Sequence, residues 1–318
     1  MRIAVIGAGG VGGLLAALLA RAGEEVSVVA RGSALDAIRA AGITVDSPLG
    51  AFTQRVAAAS DDPATLAPAD AVLVAVKAWQ VAELAPRLAP LVAPGGVVVP
   101  LQNGVEAAGR LAAALGDERV AGGLVNVLAW ITGPGAVKHV GGPPRLTVGE
   151  RGARGKPPSP RLEALAAALG RGGAEATISG DIERASWEKF LLIGPWGAVS
   201  AVARAPIGVV RTVPETRALL EAAMEELAAV GRARGVAIPA DAVARTLAFI
   251  DAVMPEATAS MQRDVGAGRP SELDDQAGAV VRLAAAVGVP VPVHGFLLAA
   301  LRPQEAAARG AIPRFART

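Results

Sequence analysis

Residues 1–31 constrain the fold of this chain more than any other stretch. An apolar run over residues 2–6 has the composition of a buried parallel strand. A glycine-rich segment follows it directly, then an apolar helix-like stretch over residues 14–22, and then a second strand-like run over residues 26–30. The glycine-rich segment has the spacing G-x-G-x-x-G and consists of Gly7, Ala8, Gly9, Gly10, Val11 and Gly12. In this strand–turn–helix–strand setting, the spacing predicts the phosphate-binding turn of a dinucleotide-binding unit.

Each glycine of this turn has an expected physical role. Gly7 allows the tight turn, Gly9 lets the backbone approach a pyrophosphate, and Gly12 lets the helix pack closely on the strand. The N-terminus of the helix then presents N–H groups and its positive dipole end to the phosphates.

The residue at the end of the second strand indicates which dinucleotide binds. Sites for NAD usually carry Asp or Glu there, which binds the ribose 2′-hydroxyl. In this chain Glu24 and Glu25 precede the strand, and Arg31 follows it. Because a guanidinium binds a phosphate through two parallel hydrogen bonds, Arg31 favours a 2′-phosphate and predicts NADP(H) as the cofactor.

Composition excludes several classes of protein. At 318 residues with 52% hydrophobic and 19% charged residues, the chain is long and apolar enough for two globular domains. It has no cysteine and only two histidines, so we expect no disulfide, thiol nucleophile or metal site. A net charge of +2 and 3% aromatic residues give no support for nucleic-acid binding. No apolar run has membrane-spanning length, and we expect a cytoplasmic protein without a membrane partner.

Strand-like and helix-like segments alternate up to about Gly180, and the sequence beyond it is almost wholly helical. This pattern predicts an α/β fold in two domains: a Rossmann-type doubly wound domain over residues 1–180 and an all-α domain over residues 181–318. The helix-like stretch 215–235 carries enough apolar residues to bury more than one face. A homodimer through the helical domain is one explanation, and packing within that domain is the other.

Two further strands end in polar residues that are candidates for the site. Residues 71–76 lead into Lys77 and Gln80, and residues 97–101 lead into Asn103. Because ligands of doubly wound sheets bind at the carboxyl ends of the strands, we expect these side chains to meet the cofactor.

A reductase also needs a proton donor, and Lys189 is the best candidate. It lies among apolar residues in the first helix of the predicted helical domain, and burial of an ammonium makes it a readier proton donor. We expect His139 and His294 to be structural, because neither has an acidic residue at a sequence spacing that indicates a catalytic pair.

Seven segments together resemble the ketopantoate reductase (2-dehydropantoate 2-reductase) family over the whole chain. They are Gly7 to Gly12, Arg31, Lys77-Ala78-Trp79-Gln80, Gln102-Asn103-Gly104, Trp187-Glu188-Lys189-Phe190, Ser260-Met261-Gln262-Arg263-Asp264 and Ser271-Glu272-Leu273-Asp274. The resemblance implies a pantothenate-pathway activity, the NADPH-dependent reduction of a 2-oxo acid to a 2-hydroxy acid.

The resemblance also implies a role for each matching residue. Lys189 would be the general acid, and Asn103 would orient nicotinamide, substrate and lysine. Ser260 would bind the substrate carboxylate, and Glu272 would hold the hydroxyl-bearing, cofactor-facing side of the site. The cofactor 2′-phosphate would be held by Arg31, Lys77 and Gln80.

The chain departs from the family pattern at three positions that usually carry asparagine. They hold Ile193, Gly197 and Ile207, and Pro195 is expected to interrupt the helix between them. These changes predict a more apolar pocket and a substrate that is larger or less hydroxylated than ketopantoate. Two alternatives stay open: another two-domain NADP-dependent dehydrogenase, of hydroxyacid or opine type, and a non-catalytic NADPH-binding sensor.

Overall fold

The computed structural model describes residues 1–152, 154–155 and 157–315, and within them the chain divides into two compact units. Unit 1 comprises residues 1–102 and 107–183. Unit 2 comprises residues 103–106 and the chain from Arg184 onward. The sequence pattern places the boundary near Gly180, and the short excursion of residues 103–106 into unit 2 has no counterpart in that pattern.

Unit 1 is an α/β unit, which confirms the predicted fold class for this part of the chain. Its elements are β1 (Arg2–Ile6), α1 (Gly10–Arg21), β2 (Glu25–Val29), α2 (Gly32–Ala41), β3 (Ile43–Asp46), β4 (Phe52–Gln54), β5 (Ala58–Ser60), β6 (Ala69–Val74), α3 (Val81–Leu84), β7 (Val92–Pro100), α4 (Ala107–Leu115), β8 (Ala121–Gly133), β9 (Ala136–Glu150), α5 (Pro160–Arg171) and β10 (Glu175–Ile178).

The first sheet of unit 1 is parallel, with strand order β5-β2-β1-β6-β7. Strand β1 is central, and its alternate side chains enter different hydrophobic clusters. Ile3 and Val5 pack in a cluster with α1, whereas Ala4 and Ile6 pack in a second cluster with residues of β6 and β7. Both faces of the sheet are therefore covered, which explains the near-continuous apolar character of its strands.

The second sheet of unit 1 corrects a detail of the sequence interpretation. Residues 137–140 and 145–148 look like two short edge strands, but they are parts of the single strand β9, which pairs antiparallel with β8. Asn126 pairs with Arg145 and Leu128 with Val140, so residues 141–144 form an irregular extension opposite one residue of β8. Pairing with β8 keeps this Gly-Gly-Pro-Pro stretch within the strand, although its composition favours a turn.

Unit 2 is helical, and no strand occurs among its described residues. Its helices are α6 (Ile182–Ala203, whose first two residues belong to unit 1), α7 (Ile207–Thr212), α8 (Pro214–Ala233), α9 (Ala242–Ala252), α10 (Ser260–Ala267), α11 (Ala277–Ala285) and α12 (Pro292–Ala308). Helix α6 continues through Pro195, so this proline does not end the helix. Within the described part of the chain, no helix has the length and apolar composition needed to span a membrane.

Helix α8 explains where the apolar residues of stretch 215–235 go. Leu220, Met224 and Leu227 are fully buried in the hydrophobic cluster of unit 2. Packing within the unit therefore accounts for the pattern, and the homodimer stays a prediction with no support from this helix.

Candidate active site

In the turn between β1 and α1, the structure requires glycine at every glycine position except Gly9, each time for a different reason. Gly7 has φ +99°, a conformation that side chains disfavour. A Cβ at Gly12 would overlap with the carbonyl oxygen of Gly7, and a Cβ at Gly10 would overlap with that of Ala129 in β8. The requirement at Gly10 comes from a distant strand, so the motif alone could not reveal it.

Gly9 is the exception, and this exception points to a ligand. It has φ −73° and ψ −171°, which any residue can adopt, and a Cβ there would meet no protein atom within 4 Å. Helix α1 begins directly after it, with no capping side chain and no acidic residue in its first turn. The space beside Gly9, at the positive end of this helix, is therefore open, and the turn fits a dinucleotide pyrophosphate.

The candidate 2′-phosphate ligands lie at the carboxyl ends of the strands that flank β1. Arg31 follows β2 and is the N-cap residue of α2, and Lys77 and Gln80 follow β6. All three are exposed. The Lys77 ammonium lies 5.7 Å from the centre of the Trp79 ring, and the Gln80 side chain accepts a hydrogen bond from the Lys77 backbone N–H (3.2 Å).

Gln102 also lies at this edge, and the sequence interpretation gives it no role. It is buried, and its side-chain amide donates to the carbonyl oxygens of Val74 and Val76, both at 2.8 Å. Gln102 therefore ties the end of β7 to the end of β6, just before Asn103 leaves unit 1. Its sequence signals are its position after a buried strand and its place in the Gln102-Asn103-Gly104 segment.

In unit 2, Lys189 lies on α6 beside the fully buried Phe190. Burial lowers the pKa of the Lys189 ammonium from its ordinary 10.5 to about 8, and the carboxylate of Glu272 partly opposes this shift. The lysine can therefore release and recover a proton close to neutral pH, which suits a general acid.

The composition of residues 272–288 predicts a helix, but α11 begins only at Ala277, so Glu272 lies in the turn before it. Helix α12 holds this turn. The buried carboxylate of Glu305 accepts hydrogen bonds from the Ser271 hydroxyl (2.6 Å) and backbone N–H (3.0 Å). Arg309 donates to Glu305 (2.6 Å) and to the Ser271 carbonyl oxygen (3.1 Å). Glu305 and Arg309 each lie more than thirty residues from Ser271, so no local pattern could indicate their contacts with it.

The turn that carries Glu272 also contacts the segment that carries Asn103. A Cβ at Gly104 would lie 2.9 Å from the Asp275 carbonyl oxygen, and Gly104 itself has φ +96°. Arg282 donates to Glu106 (2.7 Å) and to the Asp274 carbonyl oxygen (3.0 Å). These contacts fix residues 103–106 against the turn and place Asn103 in unit 2 with Lys189 and Glu272.

Ser260 is the first residue of α10, and it lies next to a region where α10 packs closely on α6. A Cβ at Gly197 of α6 would lie 3.3 Å from Met261 Cε and 3.6 Å from Gln276 Oε1. Met261 and Gln276 are both buried. The space beside Gly197 is therefore filled by protein, chiefly by Met261.

The other two departures from the family pattern occupy different environments. Ile193 is half-buried, whereas Ile207 is fully buried in the hydrophobic cluster of unit 2. Ile207 therefore offers no surface to a substrate, and the expectation that it lines the pocket is wrong.

The two histidines lie outside this site. His294 is buried and pairs through Nδ1 with the Glu226 carboxylate (2.8 Å), which lowers the pKa of Glu226. His139 is buried in unit 1 and pairs with the Ser47 hydroxyl (2.9 Å). The described residues contain no group of three or more acidic or histidine side chains that could hold a metal ion.

Comparisons with known proteins show the family of this chain. The family models "Ketopantoate reductase PanE/ApbA" and "Ketopantoate reductase PanE/ApbA C terminal" match residues 3–153 and 181–305. A 2-dehydropantoate 2-reductase of Mesorhizobium japonicum is 31% identical, covering 95% of this chain and 97% of the relative. One of Halobacterium salinarum is 32% identical, with coverages of 92% and 95%. The crystal structure of a PanE/ApbA family ketopantoate reductase from Ralstonia eutropha JMP134 superposes with a TM-score of 0.87 at 34% identity, covering 97% of this chain and all of that one. The chain therefore belongs to the ketopantoate reductase family, as its sequence motifs predict.

Proposed function

We propose that this protein reduces a 2-oxo acid to a 2-hydroxy acid with NADPH, and that Lys189 is the general acid. The observation that carries the proposal is the Lys189 ammonium, whose pKa of about 8 and neighbouring carboxylate, Glu272, suit proton donation near neutral pH. Membership of the ketopantoate reductase family supports the same reaction.

The cofactor would be held by unit 1. The open space at Gly9 and the N-terminus of α1 accept the pyrophosphate, and the exposed side chains of Arg31, Lys77 and Gln80 bind the 2′-phosphate. NADPH, when bound, supplies the hydride for the substrate carbonyl carbon.

The protein's own residues bind the substrate and move the proton. Lys189 donates a proton to the carbonyl oxygen as this oxygen gains negative charge, and Asn103 orients the substrate. Ser260 binds the substrate carboxylate at the start of α10. The Glu272 carboxylate favours the charged form of Lys189 in its buried setting, so a proton is available there for the substrate oxygen.

Steady-state kinetics with purified protein test this proposal. A panel of 2-oxo acids that includes ketopantoate is supplied with NADPH, and oxidation of the cofactor is followed by absorbance. Wild-type kcat should fall above a pH of about 8, where Lys189 loses its proton. Lys189→Met should lower kcat by roughly 10²–10⁴-fold. Binding of NADPH without oxidation by any acid of the panel would overturn the proposal and favour a cofactor-binding sensor.

The choice of cofactor has its own test. Arg31→Ala should raise the KM for NADPH about tenfold or more and leave the KM for NADH nearly unchanged, because only NADPH carries the 2′-phosphate. An equal effect on both cofactors would contradict this assignment and leave the rest of the proposal standing.

We also propose a cytoplasmic location.

A further inference from the structure

We propose that Ile193 makes this enzyme specific for 2-oxo acids whose substituent beside the carbonyl is apolar, and that it disfavours acids with a hydroxyl there. This inference rests on the proposed function, since it names the substrate class of the same site. It is carried by the position of Ile193 on helix α6 and by what packs around its neighbours.

The position of Ile193 follows from the two residues one turn before and one turn after it. Lys189, Ile193 and Gly197 are spaced by four residues, so on an α-helix they point in directions only about 40° apart in succession. Lys189 lies within electrostatic reach of Glu272, and Gly197 packs on Met261 and Gln276. Ile193, lying midway along this face, is therefore directed at the same region, residues 260–276.

Burial indicates that Ile193 presents surface to that region. Next to it on α6, Gly194 and Pro195 are buried, and so are residues 197–201. Ile193 itself is half-buried, so part of its side chain stays accessible. Its place one turn from both Lys189 and Gly197 assigns that accessible part to the face that carries Lys189. If Lys189 donates a hydrogen bond to the substrate carbonyl, the substituent beside that carbonyl lies within one helical turn, about 6 Å, of the Ile193 side chain.

Two features make this wall apolar. Ile193 has no hydrogen-bonding group, and the neighbouring Gly197 adds none, because Met261 lies only 3.3 Å from where its Cβ would be. A hydroxyl placed against the Ile193 side chain loses its bonds to water and gains no partner from that side chain, whereas a methyl group at the same place gains contact. Discrimination between the two should therefore amount to about tenfold to a hundredfold in kcat/KM.

The decisive measurement uses two substrates that differ by one hydroxyl. These are 3,3-dimethyl-2-oxobutanoate and its 4-hydroxy derivative, ketopantoate, each supplied with NADPH. The wild-type protein should have the higher kcat/KM for the apolar acid, by about tenfold or more. An equal or higher value for ketopantoate would overturn the inference and leave the proposed function intact. Reduction of neither acid, nor of any other 2-oxo acid, would overturn the proposed function and this inference together.

Two variants locate the effect at Ile193. Ile193→Asn should shift the ratio of the two kcat/KM values toward ketopantoate by about tenfold, and the smaller change Ile193→Thr should shift it in the same direction. Leu192→Asn is the matched control, because Leu192 is equally half-buried on the same helix but points about 100° away. An unchanged ratio in Ile193→Thr, or an equal shift in Leu192→Asn, would contradict the inference. The wild-type ratio decides the matter if Ile193→Asn does not fold.

Discussion

The glycine turn of unit 1 and the lysine site of unit 2 are built in opposite ways. The turn is one run of six residues, Gly7 to Gly12, whose backbone geometry is specified mainly by the absence of side chains. The lysine site joins a residue of α6 to a turn before α11 and a segment near residue 103, and buried polar contacts from α12 hold it. The comparison teaches that a local motif can be recognised from sequence, whereas a site held by distant pairs must be seen folded.

Removing the hydrogen bonds that Glu305 of α12 accepts from Ser271 should have the largest effect on stability. Glu305→Gln should cost about 3–5 kcal/mol of unfolding free energy, because it removes the buried charge that pairs with Arg309 and accepts from Ser271. Because Glu272 follows Ser271 directly, kcat should fall as well. Urea denaturation followed by fluorescence, together with steady-state kinetics, measures both effects.

A second buried carboxylate provides the matched control for this variant. Glu226 accepts hydrogen bonds from the N–H groups of Val293 and His294 at the other end of α12. Glu226→Gln should therefore lower stability without lowering kcat. Equal losses of kcat in the two variants would show that Glu305 acts through general stability alone, and not through the turn that carries Glu272.

The same contrast explains how much of the fold the sequence could predict. The β1–α1–β2 unit follows local periodicity and turn residues. Residues 43–45 and 52–57 likewise predict a hairpin, which β3 and β4 form, and residues 181–204 and 215–235 predict two long helices, which are α6 and α8. No such pattern indicates α4 or α7. The continuous strand β9 was missed because Gly141 and Gly142 indicate a turn locally, while β8 supplies the pairing that overrides it.

The site shows the same limit. Lys77 and Asn103 could be found because each follows a buried strand, and Lys189 because an ammonium stands in an apolar helix. The hydrogen bonds that Glu305 accepts from Ser271 could not be predicted, because the two residues lie 34 positions apart and neither belongs to a motif that implies the other. The packing of Met261 against Gly197 is equally invisible until α10 and α6 meet.

Lys189 itself should stabilise the fold less than an uncharged residue would. Its pKa falls from 10.5 in the unfolded chain to about 8 in the folded one, so the charged lysine costs about 3 kcal/mol of stability. Lys189→Met should recover much of this free energy while abolishing most of the activity. Denaturation at neutral pH should show the gain, and a loss of stability in this variant would contradict the proposed burial cost.

The pH dependence of this gain provides a sharper test. Below a pH of about 8, Lys189 is charged in both folded and unfolded chains, and the full cost applies. Between about 8 and 10.5 the unfolded chain binds more protons than the folded one, so wild-type stability rises with pH. The advantage of Lys189→Met should therefore shrink over this window. A difference that stays constant from neutral pH to pH 10 would rule out the lowered pKa as its cause.

The smallest effects separate the two kinds of glycine within the turn itself. Gly12→Ala should cost about 1–3 kcal/mol or more, because the new methyl group overlaps with the Gly7 carbonyl oxygen. Gly9→Ala should change stability by less than about 1 kcal/mol, because its backbone angles suit alanine and no protein atom lies within 4 Å of the new carbon. Yet Gly9→Ala should weaken NADPH binding, since that methyl group takes the space proposed for the pyrophosphate. Titration of NADPH into the folded Gly9→Ala protein measures this directly. Unchanged affinity would mean that the open space beside Gly9 is not where the dinucleotide lies, even though the turn has the geometry to hold one.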